Sequence, residues 1–305
     1  MSHACITTTT ATYVLSLLLL FCTSNIFVHC SDTPLMQAAK RGDLEGVQEN
    51  LLYIAETDSD NFSALTFATF STQFSTSSSI VKLLIDSGEK VNHVDKNGYT
   101  PLLWAAQNNN MPAAIALIEA QANIEPQSID QHLTPLLAAV VNHNLEMAEY
   151  LLTEGKANVN ARTSNRVTSL ISAVSGGDKN RKTLELLINN GAAINHYTKD
   201  LKISAAMIAS QENYIELLEL LLNSDADVDQ KNKMGATALM MAATNGHYDI
   251  VQMLLDHGAD PKISIKIDTE EDFERGTISR ITALTMATSY GHQEISDLIE
   301  RYLEL

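Results

Sequence analysis

Residues 235–260 read GATALMMAATNGHYDIVQMLLDHGAD, and this stretch decides the fold. Thr237 can cap a helix, and Ala238, Leu239 and the small pair Ala242-Ala243 can form its body. Gly246 then interrupts the run. Beyond it Ile250, Val251, Leu254 and Leu255 fall on one helical stripe, and Gly258 supplies a left-handed stop. The reading is two short helices joined by a turn, the first small enough on one side for a neighbour to approach closely. Such a pair has too little apolar surface to bury alone and needs copies of itself.

Copies are present along the chain. The opening block recurs as Thr33-Pro34-Leu35, Ser63-Ala64-Leu65, Thr100-Pro101-Leu102, Thr134-Pro135-Leu136, Thr168-Ser169-Leu170, Ser204-Ala205-Ala206, Thr237-Ala238-Leu239 and Thr282-Ala283-Leu284. The third residues of these blocks lie 30, 37, 34, 34, 36, 33 and 45 positions apart, a period typical of stacked repeats. A Leu-Leu or similar pair follows in several units, as at Leu83-Leu84, Leu151-Leu152, Leu186-Leu187, Leu221-Leu222 and Leu254-Leu255.

The pattern resembles the ankyrin repeat over about residues 31–305. The resemblance implies an all-α solenoid of about eight helix-turn-helix units joined by short β-hairpin loops. The units fall near 31–60, 61–95, 96–130, 131–164, 165–200, 201–232, 233–261 and 279–305. The family's usual His after Thr-Pro-Leu is absent: Met36, Thr66, Leu103, Leu137, Ile171, Met207, Met240 and Thr285 stand there, so its hydrogen bonds must be missing or replaced. The first unit lacks a closing glycine turn, as befits a capping repeat. Residues 71–79, STQFSTSSS, are expected to be a polar insertion between the helices of the second unit. A longer insertion, 262–278, opens with the strand-like alternation Lys262-Ile263-Ser264-Ile265-Lys266-Ile267 and continues through Asp268, Glu270, Glu271, Asp272 and Glu274. It is expected to form an enlarged hairpin finger with an acidic tip.

Ahead of the repeats, residues 1–30 contain no Asp, Glu, Lys or Arg, and residues 14–22, VLSLLLLFC, are apolar apart from Ser16. The length suits the core of an export signal cleaved after Ser24 or Cys30, although no Lys or Arg precedes it. Residues 11–28 left uncleaved are a second reading, a membrane anchor, and a misassigned start is a third. The expected location is therefore secreted or periplasmic, with contact to a membrane only if the segment persists. All three cysteines, Cys5, Cys22 and Cys30, lie in this leader, so the body holds no disulfide framework, thiolate nucleophile or Cys-ligated zinc.

Charge narrows the partners. With 37 acidic against 20 basic side chains the formal charge is −17, a field that repels phosphate backbones and disfavours nucleic acid. It fits a basic protein partner, and equally serves solubility alone. No phosphate-binding loop or His pair at zinc spacing is present, and His247 and His292 follow a glycine where a second helix starts, a structural place. No catalytic residue, cofactor or metal is expected.

The function implied is non-enzymatic protein–protein interaction. Inhibition of an enzyme and a secreted effector or toxin remain alternatives. By analogy with the family, partners meet the concave face of the first helices and the hairpin tips. On the concave face the bulky candidates are Phe67, Trp104, Ile208, Met241 and Met286, with Trp104, the only tryptophan, as the expected anchor. Tip candidates are Tyr99 and Tyr197, the acidic Asp268, Glu270 and Glu271, and also Asp95, Lys96, Asn97, Arg162, Arg166, Lys199, Lys231 and Met234.

Overall fold

The computed structural model describes residues 32–71, 73–129, 131–267 and 279–304. The leader and the acidic tip of the finger, including Asp268, Glu270 and Glu271, lie outside the described residues. The chain forms two compact units, with the boundary between Ser164 and Asn165.

The unit ending at Ser164 contains the helix pairs α1 (Pro34–Arg41) and α2 (Leu44–Glu49), α3 (Ala64–Phe70) and α4 (Phe74–Asp86), α5 (Pro101–Gln107) and α6 (Met111–Glu119), and α7 (Pro135–Val141) and α8 (Leu145–Thr153). First helices pack on first helices, α1 on α3, α3 on α5 and α5 on α7, while α4 packs between α2 and α6. The unit beginning at Asn165 repeats the plan with α9 (Ser169–Ser175) and α10 (Arg181–Asn189), α11 (Ala205–Gln211) and α12 (Ile215–Leu222), α13 (Ala238–Asn245) and α14 (Tyr248–Asp256), and α15 (Ala283–Ser289) and α16 (Gln293–Leu303). Again α9, α11, α13 and α15 form one row and α10, α12, α14 and α16 the other.

The eight opening blocks act as helix caps. The hydroxyls of Thr33, Ser63, Thr100, Thr134, Thr168, Ser204, Thr237 and Thr282 accept from the amide three residues on, at 3.2–3.4 Å. Each such cap is worth about 1 kcal/mol. At the place of the family's His, Leu103, Leu137, Ile171, Met207 and Met240 are buried, so packing replaces the hydrogen bond there. Among the described residues, the side chain reaches back to the cap amide only in the Thr33 and Thr282 blocks: Thr33 N–H donates to Met36 Sδ at 3.4 Å and Thr282 N–H to Thr285 Oγ1 at 2.8 Å.

The second helices are tied to the preceding repeat. Asn110, wholly buried before α6, donates from Nδ2 to the carbonyls of Ala68 and Thr69 and to Ser77 Oγ, and its Oδ1 caps α6 through Ala113 N–H. Asn144 Nδ2 donates to Ala106 O. In the other unit His247 Nε2 donates to Gln211 O at 2.9 Å and His292 Nε2 to Thr244 O at 3.1 Å; since a carbonyl only accepts, both rings carry their proton on Nε2. These two histidines are thus structural, as their position implied.

One sequence expectation changes and another holds in its described part. Residues 74–79 are not an insertion between helices but the first turns of α4, which is longer than its counterparts. Ser77 is buried there under Asn110, and that hydrogen bond explains why a serine-rich run stays helical. The finger does begin as strands: β1 (Ile265–Ile267) pairs antiparallel with β2 (Ser279–Ile281) in the register Ile265 to Ile281 and Lys266 to Arg280.

Candidate protein-binding surface

The loops between repeats are built from one local device. A short polar side chain folds back on the amides of its own turn. Asp58 Oδ1 accepts from Asp60 and Phe62, Asp95 Oδ1 from Asn97 and Tyr99, and Asn232 Oδ1 from Met234 and Ala236, all within 2.8–2.9 Å. Ser128 Oγ and Thr198 Oγ1 do the same to Leu133 and Ile203 N–H at 3.0 Å. This is the competition with regular structure that makes Asx and Ser/Thr turns.

Successive tips are then joined backbone to backbone. In the first unit Lys96 N–H donates to Asp60 O, Ile129 N–H to Asn97 O, and Ser164 N–H to Gln131 O, at 2.8–3.1 Å. In the second, Lys199 N–H donates to Asn165 O and Lys233 N–H to Leu201 O, both at 2.9 Å. Each of these bonds pairs one amide and one carbonyl of neighbouring tips, and part of the tip side chains face solvent. Lys96, Asn97 and Ile129 are exposed in the first unit, and Lys199, Lys202, Lys231, Lys233 and Met234 in the second.

Tyr197 sits half-buried among charges. The Arg166 guanidinium carbon lies 5.1 Å and Lys202 Nζ 5.8 Å from its ring centroid, and His196 stacks on it at 6.0 Å. The negative ring face attracts both cations and holds them at the tip. Among the described residues Arg166, Lys199, Lys202, Lys231 and Lys233 have no carboxylate within ion-pair distance. The helical Arg181, by contrast, bonds to both Glu185 and Glu216 at 3.1 Å. Arg162 is an exposed side chain of the first unit.

The apolar residues expected to line a concave face are not exposed in either unit. Phe67, Trp104, Ile208, Met241 and Met286 are between 0 and 6% exposed, so the expectation of solvent-facing anchors is corrected. The first helices are only about two turns long and pack closely through alanines, so bulky side chains at this place are covered by the neighbouring repeat. Around Trp104 the covering is aromatic: Phe70 lies 4.9 Å, Phe62 5.9 Å and Tyr99 4.8 Å away between centroids, with Phe67 5.7 Å from Phe62. Lys40 Nζ rests 5.4 Å above Phe67. Tyr99 and Asp95 are likewise buried and are not tip residues.

Trp104 Nε1–H donates to Asp95 Oδ2 at 3.0 Å, so one carboxylate closes the hairpin with one oxygen and anchors the indole with the other. Burial pushes the Asp95 carboxyl above the usual aspartate range, although the Tyr99 amide and the Trp104 N–H pull it down. Burial likewise raises Glu89, against the Ser63 hydroxyl and the α3 N-terminal amides, and raises Glu125, which accepts from Asn158 N–H at 2.8 Å.

The C-terminal ends of three first helices carry amides instead. Asn108, Asn142 and Asn245 end their helices by donating to the carbonyls of Trp104, Ala138 and Met241 at 2.8–2.9 Å. Sequence reasoning passed over these residues, and over Lys202 and Lys233, because single polar residues between apolar blocks carry no signal of direction. Among the described residues no His, Cys, Asp and Glu cluster could hold a metal, and no helix is long and apolar enough to cross a membrane.

A family model described as ankyrin repeats, in three copies, matches residues 72–163 and again 170–265, more than half of the chain. The chain belongs to the ankyrin repeat family. Among curated proteins, this ankyrin repeat protein is 34% identical over 166 residues to the ankyrin repeat and KH domain-containing protein mask-1 of Caenorhabditis elegans. That match covers 53% of this chain and 6% of the relative. It is 30% identical over 184 residues to the ankyrin repeat protein nuc-2 of Neurospora crassa, covering 59% of this chain and 16% of that one. The chain thus spans a small part of these relatives' length. Among solved structures, the ankyrin repeat domain of Bcl-3 superposes with a TM-score of 0.64 and 26% identity, over 73% of this chain and 98% of that domain. Proteins of this family are generally protein–protein interaction scaffolds.

Proposed function

We propose that this ankyrin repeat protein is a non-enzymatic scaffold that binds a protein partner with its hairpin tips and the amide-bearing ends of its first helices, and that it does so after export. The observation that carries the reading is the tip-to-tip backbone bonding, Lys199 to Asn165 and Lys233 to Leu201 among others. It ties the backbone of each tip to its neighbour beneath the exposed tip side chains, which lowers the ordering cost of association. Export is supported by the uncharged, leucine-rich residues 1–30.

Affinity capture from the native compartment with the whole protein as bait, followed by mass spectrometry, tests the binding. A stoichiometric partner lost on Tyr197→Ala or Met234→Ala supports the tips as the contact. A partner retained by both variants, and by Asn108→Ala and Asn245→Ala, refutes this placement. N-terminal sequencing of the native chain tests export, and a chain that begins at Met1 rejects cleavage.

A further inference from the structure

We infer that the hairpin tips of the unit beginning at Asn165 form a basic row that selects an acidic, extended peptide segment of the partner. This rests on the proposed protein-binding role and names the chemistry of what is bound. Three successive tips contribute Arg166, then Lys199 and Lys202 beside Tyr197, then Lys231 and Lys233. The protein as a whole is strongly acidic, at −17, yet these five cations cluster on one row of loops. Asp200 shares the row. The nearby Asp229 is engaged elsewhere, since its carboxylate accepts from Asp260 N–H at 3.0 Å.

Among the described residues Lys82 is accompanied by Glu119 at 2.9 Å, Lys96 by Asp60 at 3.5 Å and Arg181 by Glu185 and Glu216, and most other cations stand without a carboxylate. The five here have none among the described residues. Two are instead held against the Tyr197 ring, which orients them without neutralising them. A charged group held in place and unpaired is suited to accept an anion, because less side-chain entropy is lost on pairing.

The spacing narrows the class of ligand. Successive tips belong to helices stacked at about 8–10 Å, and an extended peptide advances about 3.3 Å per residue. Carboxylates three residues apart therefore meet successive tips. The sequence sought is Glu or Asp at every third position over about seven residues, with a flexible or extended backbone. A phosphate chain is a different partner, and the protein's overall charge opposes it at long range.

The test uses the full chain and a fluorescein-labelled peptide, Glu-Ala-Ala-Glu-Ala-Ala-Glu, with its all-Gln version and a labelled single-stranded oligonucleotide as comparators. Binding is read by fluorescence anisotropy at low and moderate salt. The acidic peptide should bind, weaken as salt rises, and lose at least about tenfold in affinity in the Lys199→Glu/Lys231→Glu variant. Tyr197→Phe should bind as the parent does, because the ring face is kept, whereas Tyr197→Leu should weaken binding. Both lysines are exposed, and circular dichroism confirms that the variants keep their fold. Equal binding of the all-Gln peptide, no loss on charge reversal, or tighter binding of the oligonucleotide overturns the inference. If a captured partner survives charge reversal, protein binding stands and the acidic class falls. If no partner is captured at all, the scaffold reading falls with it.

Discussion

Replacing Trp104 distinguishes a core residue from a binding anchor, and its surroundings set the size of the effect. The indole is buried among Phe62, Phe70 and Tyr99, so Trp104→Ala removes a large apolar side chain, two edge-to-face contacts and one tilted ring contact at once. Truncations of this kind cost about 3–5 kcal/mol. Trp104→Phe keeps most of the packing and deletes only the N–H that Asp95 Oδ2 accepts at 3.0 Å, leaving a buried carboxylate oxygen short of a donor. That should cost about 1–3 kcal/mol. Asp95→Asn keeps an oxygen for the amides of Asn97 and Tyr99 but turns an NH2 group toward the indole N–H. The two changes should therefore be coupled: Asp95→Asn should be tolerated better by about 1 kcal/mol or more when Trp104 is already Phe. Urea unfolding of the four proteins, followed by far-ultraviolet circular dichroism, measures the cycle. Additive effects would refute the hydrogen bond as the linkage. A Trp104→Ala protein as stable as the parent would refute the burial argument altogether.

Other outcomes follow from the same structure. Asn110→Ala deletes the cap of α6 and the donors to Ala68 O, Thr69 O and Ser77 Oγ, so it should lower stability by about 2–4 kcal/mol in urea titration, several times the loss from Asn144→Ala. Gln121 is exposed with φ of 61°, at the place after its helix that Gly258 holds in another repeat, where φ is 85° and the space around an added Cβ is open. Gln121→Gly should stabilise by about 0.5 kcal/mol and Gly258→Ala should cost about 1 kcal/mol, both read as shifts in urea midpoint. The carboxyls of Glu89, Asp95 and Glu125 are raised by burial, so the folded chain holds their protons more tightly than the unfolded one. Their contribution is greatest near or below the ordinary carboxylate pKa, about 4, and is lost as pH rises through the raised folded values. Glu89→Gln should remove part of that slope, so the stability gap between parent and variant should change between pH 4 and 7. A constant gap contradicts the assignment.

Much of the fold was legible because it is periodic. The Thr or Ser that opens each block, the paired alanines and the second-helix stripe recur in register, and each has a local physical role. What escaped the sequence depends on neighbours. Phe67 and Trp104 occupy the same place in consecutive repeats and look like exposed anchors, but their burial is decided by Phe62, Phe70 and Tyr99 from adjoining segments. Residues 74–79 read as a loop because serine is a poor helix former, and only the contact of Ser77 with Asn110, from the next repeat, reveals them as helix. The basic row was half visible: Arg166, Tyr197, Lys199 and Lys231 stood out as tip residues. Their convergence with Lys202 and Lys233 emerges only when successive tips are set beside one another.

The bonding between tips also bears on how such a chain can change length. Among the described residues an inner tip offers one amide to the tip before it and one carbonyl to the tip after it, as with Lys96 to Asp60 and Ile129 to Asn97. The edge presented to the following repeat and the edge received from the preceding one are therefore chemically interchangeable within a unit. Duplicating or excising a whole repeat leaves matched donors and acceptors at the new junction, while gain or loss of part of a repeat leaves them mismatched. The hydrogen-bond pattern itself thus favours insertions and deletions in whole-repeat steps, and recombination between such genes can exchange the side chains at the tips without disturbing the frame that displays them.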